Sequence, residues 1–171
     1  MSRTIRAELV LERDSLLLEG AADLGAELLD AIEVELERCG LEDTCRWTRA
    51  LATLDPRRRR DVREFVIVTH RWVPDLSYWV GCRAAGIHLE VLTLTALSPS
   101  WFKRRLSSMA FAGEWWRLSM PRGLAQEEAV RIWLTTLHEI VSGSAKALLR
   151  QLAGGGATIV PATRDPLGEW A

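Results

Sequence analysis

The chain has 171 residues, 48% hydrophobic and 26% charged, with a net charge of −1, ordinary values for a globular protein and enough chain for one domain with a substantial core. No apolar run approaches the roughly 20 residues of a membrane helix, and the charged start MSRTIRAELVLERDS is no signal peptide, so a cytoplasmic protein without membrane contact is expected. Cys39, Cys45 and Cys82, odd in number and without a C-x-x-C pair or a neighbouring histidine, suit reduced thiols; neither a metal nor a cofactor is expected.

In chain order, TIRAELVL (4–11) alternates apolar and polar residues and predicts a strand with one buried face. ERDS reads as a turn, and LLLEG as a short second strand or a lead into the next element. Residues 22–39 predict an amphipathic helix: Leu24, Leu28, Ile32 and Leu36 repeat every four residues, and Glu27, Asp30, Glu33 and Glu37 form an acidic outer face. Gly40 fits the left-handed position that follows a helix.

Four strands follow, over 46–54, 63–73, 76–84 and 87–97. The consecutive β-branched Val66, Ile67 and Val68 suit a central strand buried on both faces. Asp55-Pro56, Pro74-Asp75 and Ala85-Gly86 are turn chemistry, and connectors this short favour an antiparallel meander. Ser98-Pro99-Ser100 can cap a short helix, WFKRRLSSMAFA, and EWWRLSM (114–120) predicts a further strand. The longest helix is expected over 124–152, with Val130, Leu134, Leu137, Val141, Leu148 and Leu152 on its stripe. Gly143 inside it marks either a weak point or a close packing contact. The expected fold is therefore α+β: an antiparallel sheet of about five to six strands around a central four-strand meander, with helices mainly on one face. Residues 1–153 form the domain. Residues 154–171 form a Gly/Pro-rich tail with one added strand at ATIV.

Charge is unevenly distributed. Residues 1–45 carry 12 acids and 4 bases, whereas residues 46–122 carry 14 bases and 6 acids. Such a chain is either self-complementary or offers two oppositely charged faces. DPRRRRDVREF (55–65) puts Arg57, Arg58, Arg59 and Arg60 at a hairpin tip, with Arg63 at the start of the next strand extending the patch. Eight tryptophans exceed what one core of this size needs, and tryptophan is enriched at interfaces. Trp115 and Trp116 would point to opposite faces of a strand, and Trp170 lies in the tail.

Motifs for catalysis are weak. His138-Glu139 begins like the zinc-protease motif H-E-x-x-H, but position 142 is Ser142. There is no G-x-S-x-G elbow and no phosphate-binding G-K-[ST]. His88 and Glu90 share one face of a strand, and His70 could sit opposite them as an acid–base cluster; a solvated sheet face explains the same residues.

The leading expectation is a non-enzymatic interaction or assembly protein: an accessory subunit, an inhibitor or immunity-like protein, or a phage-like assembly factor. It would dock on another protein or on copies of itself through Arg57 to Arg60, Arg63, Trp115, Trp116 and Trp170. The alternative is a nucleic-acid-binding component in which Lys103, Arg104 and Arg105 extend the arginine patch. A third reading is a small enzyme built on His70, His88 and Glu90.

Overall fold

A computed structural model describes residues 3–4, 10–53, 62–97, 124–152 and 159–162. Its elements, in chain order, are β1 (Arg3–Thr4), β2 (Val10–Leu18), α1 (Gly25–Arg38), a 3-10 turn (Leu41–Asp43), β3 (Cys45–Thr53), β4 (Val62–His70), β5 (Leu76–Ala85), β6 (His88–Leu97), α2 (Leu124–Leu152) and β7 (Ile159–Ala162).

The strands form one α+β sheet in the order β1-β3-β4-β5-β6-β2-β7. β3 to β6 are the expected antiparallel meander. β2 adds antiparallel to β6, and the short β7 extends that side. The two-residue β1 lies parallel to β3 at the other edge. The loop between β5 and β6 is only Gly86 and Ile87, and Gly86 has φ +67°, which a residue with a Cβ adopts at a cost. Gly40, at φ +66°, takes the left-handed position expected after α1.

Two expectations at the N-terminal end are corrected. ERDS is not a turn: Glu12, Arg13, Asp14 and Ser15 pair with Thr95, Leu94, Thr93 and Leu92, so β2 runs straight through. On the other side of β2, the described residues of β7 pair with Ser15 to Leu18. Polar residues such as Glu12 to Asp14 are poorly served by strand propensity, which depends on the neighbours a strand meets. The single strand expected over 4–11 is divided, because Thr4 pairs with Thr53 of β3 whereas Val10 pairs with Ala96 of β6. The short helix after Ser100 and the strand over 114–120 lie outside the described residues.

Both helices pack on one face of the sheet. Leu28, Leu29, Ile32 and Leu36 of α1 and Trp133, Leu137, Val141 and Leu148 of α2 meet Leu18, Val66, Val68, Tyr78, Val80, Leu89 and Val91. Burial of these apolar side chains, each worth about 1.5–3 kcal/mol, dominates the stability of this layer. On the opposite face Phe65, Ile67, Trp79, Leu92 and Leu94 form a second buried cluster. Val66 and Val68 thus serve one core and Ile67 the other, as expected for a central strand.

Candidate functional site

Arg57 to Arg60 lie outside the described residues, but the ends of their connector do not. Thr53 and Val62 are register partners, so the paired ends of β3 and β4 flank residues 54–61 in sequence. β4 and β5 are antiparallel, which places the Gly86-Ile87 loop at the same end of the sheet. That end is apolar as well: Leu51, Val62 and Ile87 are all exposed, Ile87 at 71%. Lys103, Arg104, Arg105, Trp101, Trp115, Trp116 and Trp170 are also outside the described residues.

Arg63 is not part of an open patch. Its side chain is only 5% exposed, and its Nη1 lies 3.3 Å from Glu90 Oε2. Arg83 reaches the same oxygen at 2.6 Å. Glu90 is therefore an ion-pair anchor that makes two guanidinium groups tolerable at the margin of the second core.

His70 does not join His88 and Glu90. The register puts His70 opposite Cys45 on the helix-covered face, whereas Glu90 lies opposite Arg83 on the other. His88 shares the face of Glu90, and its Nδ1 is buried without a hydrogen-bond partner. The Trp72 backbone N–H donates to His70 Nδ1 at 3.2 Å, and the imidazole stands edge-on to Trp133 with centroids 5.2 Å apart. Burial lowers its pKa, so it is held neutral. The facing Cys45 thiol donates to the Leu41 carbonyl at 3.1 Å, and burial raises its pKa. A neutral imidazole beside a buried thiol is the reverse of an activated nucleophile pair. Cys82 is no better placed: burial pushes its thiol up to about 12.

The four described tryptophans divide. Trp79 and Trp133 are buried, Trp47 is half-buried, and Trp72, in the β4–β5 connection, is 71% exposed. Trp79 is held by a chain in which its Nε1–H donates to Ser77 Oγ at 2.7 Å and Ser77 donates to the Ala96 carbonyl at 3.2 Å.

A polar cleft of about 310 Å³ lies between α2 and the sheet. Among the described residues its floor is Tyr78, Thr93, Thr95, Glu12 and Asp14. The register explains the arrangement: Tyr78, Thr95 and Glu12 form one row across three strands, and Thr93 and Asp14 lie in the next. One turn of α2 supplies the lid side with Leu134, Thr135, His138 and Glu139. Tyr78 is 4% exposed, and its hydroxyl is buried without a hydrogen-bond partner, although Thr93 is beside it. Burial and the charges of Asp14 and Glu12 raise its pKa and keep it protonated. No group of three His, Cys, Asp or Glu among the described residues is close enough to hold a metal ion. Sequence reasoning missed this cleft because it treated Glu12 and Asp14 as turn residues and tested His138-Glu139 only as a zinc motif. The available signal was alternation: Glu12, Asp14, Leu16 and Leu18 share one strand face.

No family model, curated protein or solved structure matches the chain.

Proposed function

We propose that this chain is a non-enzymatic interaction or assembly component that docks on protein through the end of the sheet bearing Arg57 to Arg60. The observation that carries this reading is the exposure of Leu51, Val62 and Ile87 at that end. Aliphatic side chains beside a cluster of arginines suit a protein surface of mixed apolar and acidic character better than a phosphate backbone, which offers no apolar contact. The separation of His70 from His88 and Glu90, and the ion pairs that occupy Glu90, weigh against catalysis at those residues.

The first partner to test is a second copy of the chain, whose residues 1–45 are strongly acidic. Light scattering at low salt should give a mass above that of one chain. Substituting Arg57→Glu, Arg58→Glu, Arg59→Glu and Arg60→Glu together should return it to a monomer. A wild-type monomer at every salt concentration, combined with oligonucleotide binding whose log affinity falls steeply with log salt, would replace this reading with nucleic-acid binding by Arg57 to Arg60 and Lys103 to Arg105.

A further inference from the structure

We propose that His70 is a pH-sensitive latch on the β4–β5 connection: the neutral imidazole holds the backbone of Trp72, and the protonated imidazole releases it. The proposal is independent of the assembly reading and uses none of its residues.

Backbone N–H groups fasten the connection. Arg71 donates to the Thr44 carbonyl at 2.8 Å, and Leu76 donates to the Val73 carbonyl at 2.9 Å. Neither acceptor titrates. Trp72 donates instead to His70 Nδ1 at 3.2 Å. Nδ1 accepts only while it lacks a proton, so the neutral ring carries its proton on Nε2. Protonation at Nδ1 turns the acceptor into a donor and sets two N–H groups against each other. The site also disfavours the charge. His70 is 5% exposed, and its ring stands edge-on to Trp72 and Trp133, with centroids 5.9 and 5.2 Å away. Trp133 attracts an imidazolium weakly, but leaves the two N–H groups opposed. Among the described residues, the groups around the ring do not compensate. The Cys45 thiol across from it on β3 is neutral, and α2 carries Val130 and Leu137 one turn either side of Trp133. The Arg71 guanidinium donates to the Asp43 carbonyl, Asp75 has a partner, and Glu35 and Arg38 at the end of α1 pair with each other. Burial is the cause that lowers the pKa of His70. Release stays local, because Trp72 is 71% exposed and has little packing to hold it, whereas Val73 packs on the core.

The test is amide hydrogen exchange of the intact chain by NMR from pH 7.5 to 5, with each rate corrected for the intrinsic pH dependence of exchange. The released state takes up a proton near the ordinary histidine value of 6.5, and the latched state only at a lower pH. The latch is therefore intact above pH 6.5 and fails as pH falls toward the latched value. Protection of the Trp72 amide should be constant above pH 6.5 and drop about tenfold per pH unit below it. The Ile67 amide, in the central strand, should keep its protection throughout. His70→Asn supplies a side-chain oxygen that accepts a hydrogen bond but does not titrate, and should make Trp72 protection independent of pH. Three results would each overturn the latch: Trp72 protection unchanged below pH 6.5, Ile67 losing protection in parallel with Trp72, or His70→Asn showing the same fall as the wild type. The first two are read from the wild-type chain alone, so they decide the matter even if the variant does not fold.

Discussion

Gly81 lies directly across from Phe65 in the β4–β5 ladder, and the ring of Phe65 fills the space a side chain would need. A Cβ at Gly81 would stand 2.4 Å from the ring's Cε1, closer than any relaxed contact. Phe65 cannot swing aside, because it is fully buried and its ring stands edge-on to Trp79 with centroids 5.8 Å apart. Gly81→Ala should therefore destabilise the protein by about 1–3 kcal/mol, the usual range for overpacking a filled core. Urea unfolding measures this as a lower midpoint at unchanged slope. Adding Phe65→Leu should recover part of the loss, since it removes the clashing atoms. If the two substitutions lowered stability additively, the clash would not be its cause.

Gly143 of α2 is the opposite case. It is exposed, and among the described residues nothing lies within 4 Å of where its Cβ would stand, so of the two readings open from the sequence they give no support to a close packing contact. What remains is the conformational cost of glycine inside a helix, roughly 0.5–1 kcal/mol relative to alanine. Gly143→Ala should raise stability by about that amount, visible as a higher thermal midpoint, and a lower midpoint would mean that the helix needs its flexibility here. Elements with a strong repeating pattern were legible from sequence in just this way. The four-residue repeat of α1 and the stripe of α2 stand out because burial enforces a 3.6-residue period. The meander stands out because each strand is bounded by Pro or Gly. β2 was not legible across Glu12 to Asp14, because three consecutive charged residues have low strand propensity and only their pairing with Thr95, Leu94 and Thr93 places them in a strand. Its misreading hid the cleft as well, since the floor exists only once Glu12 and Asp14 are placed beside Thr95 and Thr93.

At the scale of the whole molecule, part of the charge asymmetry is spent internally. Arg49 of β3 is ion-paired with Asp30 and with Glu33 at 3.1 Å, tying the basic middle of the chain to the acidic helix α1. Exposed pairs of this kind contribute about a kilocalorie per mole or less, so the layers are joined chiefly by their apolar side chains. That shared core also holds two weak acids in their neutral forms, the buried Tyr78 and the partly buried Cys82, which makes stability depend on alkaline pH. Burial raises the Cys82 thiol from 9.0 to about 12, and it raises the Tyr78 phenol in the same direction from 10.0. A group whose pKa is raised by folding leaves stability intact below its unfolded value. Above that value the unfolded chain releases its proton first, and stability is lost as pH rises toward the folded value. For Cys82 the window is pH 9 to about 12, with a slope approaching about 1.4 kcal/mol per pH unit. Tyr78 adds to the decline above pH 10. Urea unfolding at a series of pH values from 8 to 11 should show this fall, and the variant combining Cys82→Ala with Tyr78→Phe should show a shallower one from a lower starting point. Parallel curves for the two proteins would mean that neither group is held neutral by the core, and would remove the electrostatic basis for describing Tyr78 as a protonated hydroxyl in the wall of the cleft.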